Sequence, residues 1–296
     1  MTASPLPAAL NSPPPAVPNV LVSFPAPHVL LITLNRPKQL NAIPSTQHAA
    51  LSALYDWYDS EPHLRCAILT GAGRAFCAGA DLREWDRVNS SSPATTNDGH
   101  SQTEQIAMPP SGFGGLSNRP GKKPVIAAVN GLCFGGGMEM VINCDIVVAA
   151  ETARFGLPEV TKGVVALAGA LPRLSGIVGR QRAGEMVLLG RTGYTAREME
   201  RWGVVNFVVE GGKGDGNGGV VSEAVRIAEE VAGNSPDAVV VSREGLRLGG
   251  EGMAPERATE MLVTGWYGRI DKGENMREGV RSFVERRKAV WVDSKL

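Results

Sequence analysis

Two glycine-bearing corners and two glutamates are the parts of this sequence best suited to chemistry. The first corner, Phe76-Cys77-Ala78-Gly79-Ala80-Asp81-Leu82, follows an apolar run and leads into a helical start; the second, Gly135-Gly136-Gly137-Met138-Glu139, does the same. Glycine lets the backbone adopt positive φ and lets a ligand approach the main chain. The N–H groups that open a helix have no intrahelical partner. Two such corners facing each other would aim a pair of backbone donors at one oxygen, an oxyanion hole. Each corner alone reads equally as a tight strand-to-helix turn. Neither matches G-x-G-x-x-G, which argues against a dinucleotide site. Glu139 falls in the first turn of a helix within an apolar, glycine-rich segment, and Glu159 follows Phe155-Gly156-Leu157-Pro158. A glutamate in such company either caps a helix or has its proton affinity raised by burial so that it can trade protons. Two of them, each beside a donor corner, point to a paired general acid and base.

The elements that must position these groups alternate between strand and helix. Residues 1–19 are rich in Pro, Ala and Ser and read as a mobile arm. Val20 to Val22 and Val29 to Leu34, separated by Pro25-Ala26-Pro27-His28, predict two strands in a tight connection. Thr46 to Asp59 carries apolar residues at helical spacing, and Cys66 to Thr70 is a short apolar strand. The stretch 88–121 is rich in Ser, Thr, Asn, Gly and Pro and reads as a flexible surface excursion. Strands return at Pro124 to Val129 and Asp145 to Ala149, around a helix from Met138 to Asn143. Continuously apolar strands imply a sheet covered on both faces, hence an α/β layered core over 20–210. A strand from Val204 to Val209 and a Gly-rich loop from Glu210 to Gly219 follow. Helices then dominate 220–296, near Val221 to Ala232, Pro236 to Leu248, Pro255 to Ile270 and Glu274 to Lys288. No full-length internal repeat is visible.

Composition narrows the function classes. The 296 residues carry 30 Lys plus Arg against 30 Asp plus Glu, so there is no bulk field to gather nucleic acid or anionic lipid. A hydrophobic fraction of 43% supports a packed core, and 36 glycines exceed the usual share of about 7%. Cys66, Cys77, Cys133 and Cys144 form no C-x-x-C pair, so buried thiols in a reducing compartment are expected, with no metal site. Pro124 to Met138 is too short for the ~20 residues of a bilayer span. The chain finishes Ser294-Lys295-Leu296, the tripeptide read by the peroxisomal import receptor, which makes a peroxisomal location the expectation.

Several motifs, in order, closely resemble the enoyl-CoA hydratase/isomerase (crotonase) family. They are Leu34-Asn35-Arg36-Pro37 with Asn41-Ala42; Leu69-Thr70-Gly71-Ala72-Gly73 with Ala75 to Leu82; Asn130-Gly131 with Gly135 to Glu139; Cys144-Asp145; Phe155 to Glu159; and Trp202-Gly203-Val204-Val205-Asn206. The match runs from about Val20 to Lys288. The resemblance implies a spiral of β-β-α units with a helical C-terminal region, assembled as a homotrimer or homohexamer. It implies an acyl-CoA thioester substrate, with CoA part of the substrate and no separate cofactor. The Ala80 and Gly136 N–H groups would hold the thioester oxygen and stabilise an enolate. Glu139 would activate water at the beta carbon, and Glu159 would supply the alpha proton. Ala42 and Ala78 would meet the adenine, with Arg83 and Arg287 or Lys288 as phosphate contacts. The activity implied is hydratase or dehydratase. The alternatives are a double-bond isomerase, or dehydration of a branched 3-hydroxyacyl-CoA in specialised siderophore or toxin metabolism. An RNA-binding role is disfavoured, since Pro236 to Leu248 carries only Arg243 and Arg247. The sequence departs from the family at Leu167, which replaces a glycine near the catalytic water and would narrow the water site or reshape the acyl pocket.

Overall fold

The computed structural model describes residues 10–84, 86, 108–210 and 219–296. Residues 1–9 of the Pro-rich arm, 88–107 of the expected excursion and 211–218 of the Gly-rich loop lie outside the described residues.

Among the described residues, ten strands form two sheets. β1 (Val20–Ala26) and β2 (Val29–Leu34) make the hairpin around Pro27-His28, followed by β3 (Cys66–Gly71), β4 (Ala75–Cys77), β5 (Val125–Val129), β6 (Leu132–Phe134), β7 (Ile146–Ala150), β8 (Arg154–Gly156), β9 (Tyr194–Thr195) and β10 (Phe207–Val209). The larger sheet runs β1-β2-β3-β5-β7-β10 and the smaller β4-β6-β8-β9. Only the β1–β2 and β8–β9 pairs are antiparallel. Each of β3, β5 and β7 in the large sheet is followed within a few residues by β4, β6 or β8 in the small one. The chain therefore steps between sheets three times, a structural repeat that carries no matching sequence repeat. The small sheet escapes sequence reading because strands of two or three residues show no alternation.

Period-two alternation decides which side of the large sheet each residue faces. Ala67 and Leu69 of β3 join the core between the sheets. Cys66 and Ile68 join a second core beneath the helix Val220–Ala232, whose Val220, Ala224, Ile227 and Ala228 form one helical face. All four cysteines are free thiols, and Cys66, Cys77 and Cys133 are buried.

Two expectations change. The middle of the described part of the excursion, 108–121, is not at the surface: Phe113, Gly114, Gly115, Leu116 and Ser117 are buried, while Met108, Pro110, Asn118 and Pro120 are exposed. Gly112, Gly114 and Gly115, all at positive φ, let the turn fold flat against the helix His48–Ser60, where Ser111 and Ser52 hydroxyls meet at 2.8 Å. Residues 10–18 of the arm are likewise held. Asn11 and Ser12 amides donate to the buried Glu61 carboxylate at 2.9 and 3.0 Å, and Val17 is buried.

Helix boundaries also shift for identifiable reasons. The strand expected from Val204 begins at Phe207, because the Val204 and Val205 amides are spent on the Met199 carbonyl at the end of the helix Ala196–Trp202. The last helix stops at Val284, before Arg286 takes a positive φ. An unanticipated helix, Ala170–Val178, carries Pro172 in its first turn, where a proline is tolerated. Arg243 is buried and paired with Asp145 at 2.8 Å, so it pins the helix Pro236–Gly250 to the core.

Candidate active site

The two glycine corners meet. Gly79 has φ +91, and a Cβ there would lie 3.2 Å from the Gly136 nitrogen, so the loops after β4 and β6 touch through their main chains. The first corner is set from behind by Ile43, whose N–H donates to the Gly79 carbonyl at 2.9 Å and whose carbonyl accepts from Asp81. Among the described residues, the N–H groups of Ala80 and Gly136 donate to no protein acceptor. Gly136 is the first residue of the helix Gly136–Ile142, where an amide has no intrahelical partner.

Close packing fixes the second corner. A Cβ on Gly136 would sit 2.6 Å from the Phe113 ring. Phe113 is itself wedged against the His48 ring, with centroids 4.7 Å apart, and His48 Nδ1 accepts the Gly114 N–H at 3.0 Å. Burial pushes the His48 pKa down to about 4, so the ring is the neutral acceptor that this bond requires.

The carboxylates face the same cavity as the corners. It has a volume of about 130 Å³, and its lining includes Ala78, Ala80, Gly136, Glu139 and Glu159. Glu139, 5% exposed, receives the Ala168 N–H on Oε1 at 2.9 Å. Burial raises its pKa to about 7, opposed by that backbone donor and reinforced by the charge of Glu159. Glu159 opens a short 3-10 turn to Lys162, and burial raises its pKa as well. Its Oε2 is buried without a partner. An unsatisfied buried oxygen on a carboxylate that lines a cavity is costly to keep and suits a group that exchanges a proton. The mouth is apolar, with Leu82, Val165 and Leu167 all exposed, the last at 74%.

The remaining sequence-derived residues divide. Ala42 lies beside the first corner through the Ile43–Ala80 bridge, and its carbonyl is held by Arg36, which also pairs with Asp81 at 3.0 Å. Arg83 is exposed next to Leu82. Lys288 is exposed and outside the cavity lining, and Arg287 is paired with Glu278 and Glu285. Sequence reasoning missed Phe113, Lys162 and Val164 as lining residues. Phe113 was hidden in a polar, glycine-rich stretch; Lys162, a lone cation in an apolar run three residues after Glu159, was the available signal.

This arrangement can hold a carbonyl oxygen with two backbone donors and move protons with two carboxyls of raised proton affinity. Comparison with known proteins agrees. The profile described as Enoyl-CoA hydratase/isomerase matches residues 26–294. The chain belongs to the enoyl-CoA hydratase/isomerase family. The mevalonyl-coenzyme A hydratase of Beauveria bassiana is 60% identical over 283 residues, covering 96% of this chain and 98% of that protein. That of Aspergillus fumigatus is 49% identical, covering 95% and 98%. The crystal structure of an enoyl-CoA hydratase from Mycobacterium tuberculosis superimposes with a TM-score of 0.77 at 31% identity, covering 94% of this chain and all of the other. The fold is that of the crotonases, and this family member is an acyl-CoA hydratase, a carbon–oxygen lyase.

Proposed function

We propose that this hydratase dehydrates, and in reverse hydrates, a branched 3-hydroxyacyl-CoA of the mevalonyl kind. The observation that carries the reading is that Glu139 and Glu159 line one cavity beneath the Ala80 and Gly136 donors. The substrate class is supported by the 60% identity to a mevalonyl-coenzyme A hydratase. It favours the specialised-metabolism role over fatty-acid degradation.

In dehydration, the Glu159 carboxylate takes the alpha proton, and the thioester oxygen accepts the Ala80 and Gly136 N–H groups as the enolate forms. Each such donor contributes about 3 kcal/mol to the transition state. Glu139 then protonates the departing 3-hydroxyl. The pair must hold one proton in total, on Glu139 before dehydration and on Glu159 after it. Net reaction consumes no proton, so the same singly protonated pair serves both directions. Isomerisation would need one carboxylate, and the presence of both favours water chemistry.

Ala42 and Ala78 would flank the adenine, and Arg83 and Lys288 would reach the CoA phosphates. We further propose no cofactor beyond the CoA of the substrate, a homotrimer or homohexamer, and delivery to peroxisomes through the import receptor that reads Ser294-Lys295-Leu296. Mass spectrometry of products from mevalonyl-CoA and crotonyl-CoA tests the substrate reading. The expected result is preferred loss of water from the branched thioester. Glu139→Gln and Glu159→Gln should each lower turnover by about a thousandfold. Unchanged turnover in either variant would remove that residue from the mechanism.

A further inference from the structure

Ser117 lies behind the cavity, 1% exposed and absent from its lining, yet it is hydrogen-bonded to both halves of the site. Its Oγ accepts the Phe113 N–H at 2.7 Å and stands 2.8 Å from the Ala168 carbonyl. A serine hydroxyl has one proton, and the amide can only donate. The directions are therefore fixed: Phe113 N–H to Oγ, and Oγ–H to Ala168 C=O. Ala168 then gives its own N–H to Glu139 Oε1 at 2.9 Å. On the other side, the Phe113 ring is the surface against which Gly136 is packed.

One buried hydroxyl thus links the residue beneath an oxyanion donor to the residue that holds a catalytic carboxyl. The same two segments are stitched once more at the rim, where Arg173 donates to the Ser117 and Gly169 carbonyls at 3.2 Å and to Asn118 Oδ1 at 2.9 Å. The rim contacts hold the segments together, but none of them reaches Ala168 or Phe113. We propose that Ser117 is a positioning residue for the hydration reaction: by pinning the Ala168 carbonyl it holds the backbone at Ala168, and with it the N–H on the other side of that residue's Cα that fixes Glu139, while the same hydroxyl anchors Phe113 under Gly136.

The inference rests on the assignment of Glu139 to proton transfer. The charged groups that share the cavity with Glu139 among the described residues are Glu159 and Lys162, and neither is hydrogen-bonded to Ser117. Removing the hydroxyl leaves the Ala168 carbonyl unpaired and loosens the backbone at Ala168, so the N–H across its Cα loses its fixed aim and Glu139 is less well held by a donor that favours its ionised form. Proton affinity at Glu139 then rises.

The test compares the full-length chain with Ser117→Ala and Ser117→Thr, using whichever acyl-CoA the wild type turns over fastest, so that a wrong substrate class does not affect it. Ser117→Ala should lower kcat about 10- to 100-fold with KM within about twofold, a loss of orientation rather than of binding. The limb of kcat/KM that Glu139 governs, the alkaline one when the thioester is dehydrated and the acidic one when it is hydrated, should move upward by about half to one pH unit. Ser117→Thr, which keeps the hydroxyl, should recover most of the rate. A Ser117→Ala enzyme with an unmoved pH profile would overturn the proposal even if its rate fell, since a purely structural defect lowers the amount of active enzyme without changing how Glu139 titrates. In a Glu139→Gln background, Ser117→Ala should cost less than about twofold further; full additivity would also overturn it. Independently of any turnover, carboxyl-carbon NMR titration of Glu139 should show a raised midpoint in Ser117→Ala, and an unchanged midpoint refutes the relay. If Ser117→Ala fails to fold, Ser117→Cys, which keeps the volume with a weaker donor, carries the same NMR comparison.

Discussion

Glu139 shows what proton-transfer chemistry costs the fold. Its pKa is raised from 4.5 to about 7, chiefly by burial. Between those values the folded chain keeps a proton that the unfolded chain has released, so stability falls as pH rises through that window and stays low above it. The difference amounts to about 3 kcal/mol. Glu139→Gln keeps an oxygen for the Ala168 N–H but cannot ionise. Thermal denaturation should find that variant more stable than wild type at pH 8 and equal to it near pH 4, and the reverse order would contradict the burial argument. The glutamates were legible in the sequence because a carboxylate among glycines and apolar residues has few structural uses. What was not legible is the Ala168 amide that holds one of them, since a backbone donor leaves no signature in residue type.

At the scale of elements, the site depends on two strand ends arriving side by side. Gly136 tolerates no side chain because the Phe113 ring fills that space, and the ring is itself buried against His48. Gly136→Ala should therefore lower turnover about 100-fold by displacing the donor, and adding Phe113→Leu should restore part of it. Steady-state kinetics on the single and double variants checks this; no recovery in the double variant would place the defect elsewhere. Both corners could be read from sequence, as glycine clusters between a strand and a helix. The large-sheet strands could be read too, from their continuous apolar runs. The turn at 112–118 could not. Its Gly, Ser and Asn content is that of an exposed loop, and only the small volume of glycine against the helix His48–Ser60 turns it into part of the pocket floor. The small sheet was equally hidden, its strands of two or three residues being too short to show an alternation.

The whole molecule is electrically balanced and yet leaves apolar surface uncovered. Val280, Phe283 and Val284 share one face of the helix Glu274–Val284, and Phe283 is 84% exposed. Leu246 on the helix Pro236–Gly250 is 79% exposed. A stripe of this kind suits contact with another copy of the chain, as the proposed oligomer would require. Sedimentation should show an oligomer for wild type and a shift toward monomer for Phe283→Asp; a wild-type monomer at micromolar concentration would rule the interface out. The sequence disclosed the helical nature of 220–284 through spacing, but not which faces remain open, because that depends on what packs against each helix.

The threefold step of the chain between sheets has a kinetic meaning. β3 pairs with β5 across more than fifty residues, and β5 with β7 across about twenty, all in parallel. Closing such long loops is entropically slow, and contacts remote in sequence set the pace of folding. Because β4 and β6 each begin within a few residues of their partners in the large sheet, neither corner can reach the other until that sheet is in register. In a refolding experiment the helix and sheet signals should therefore recover before turnover does, and simultaneous recovery would contradict this order.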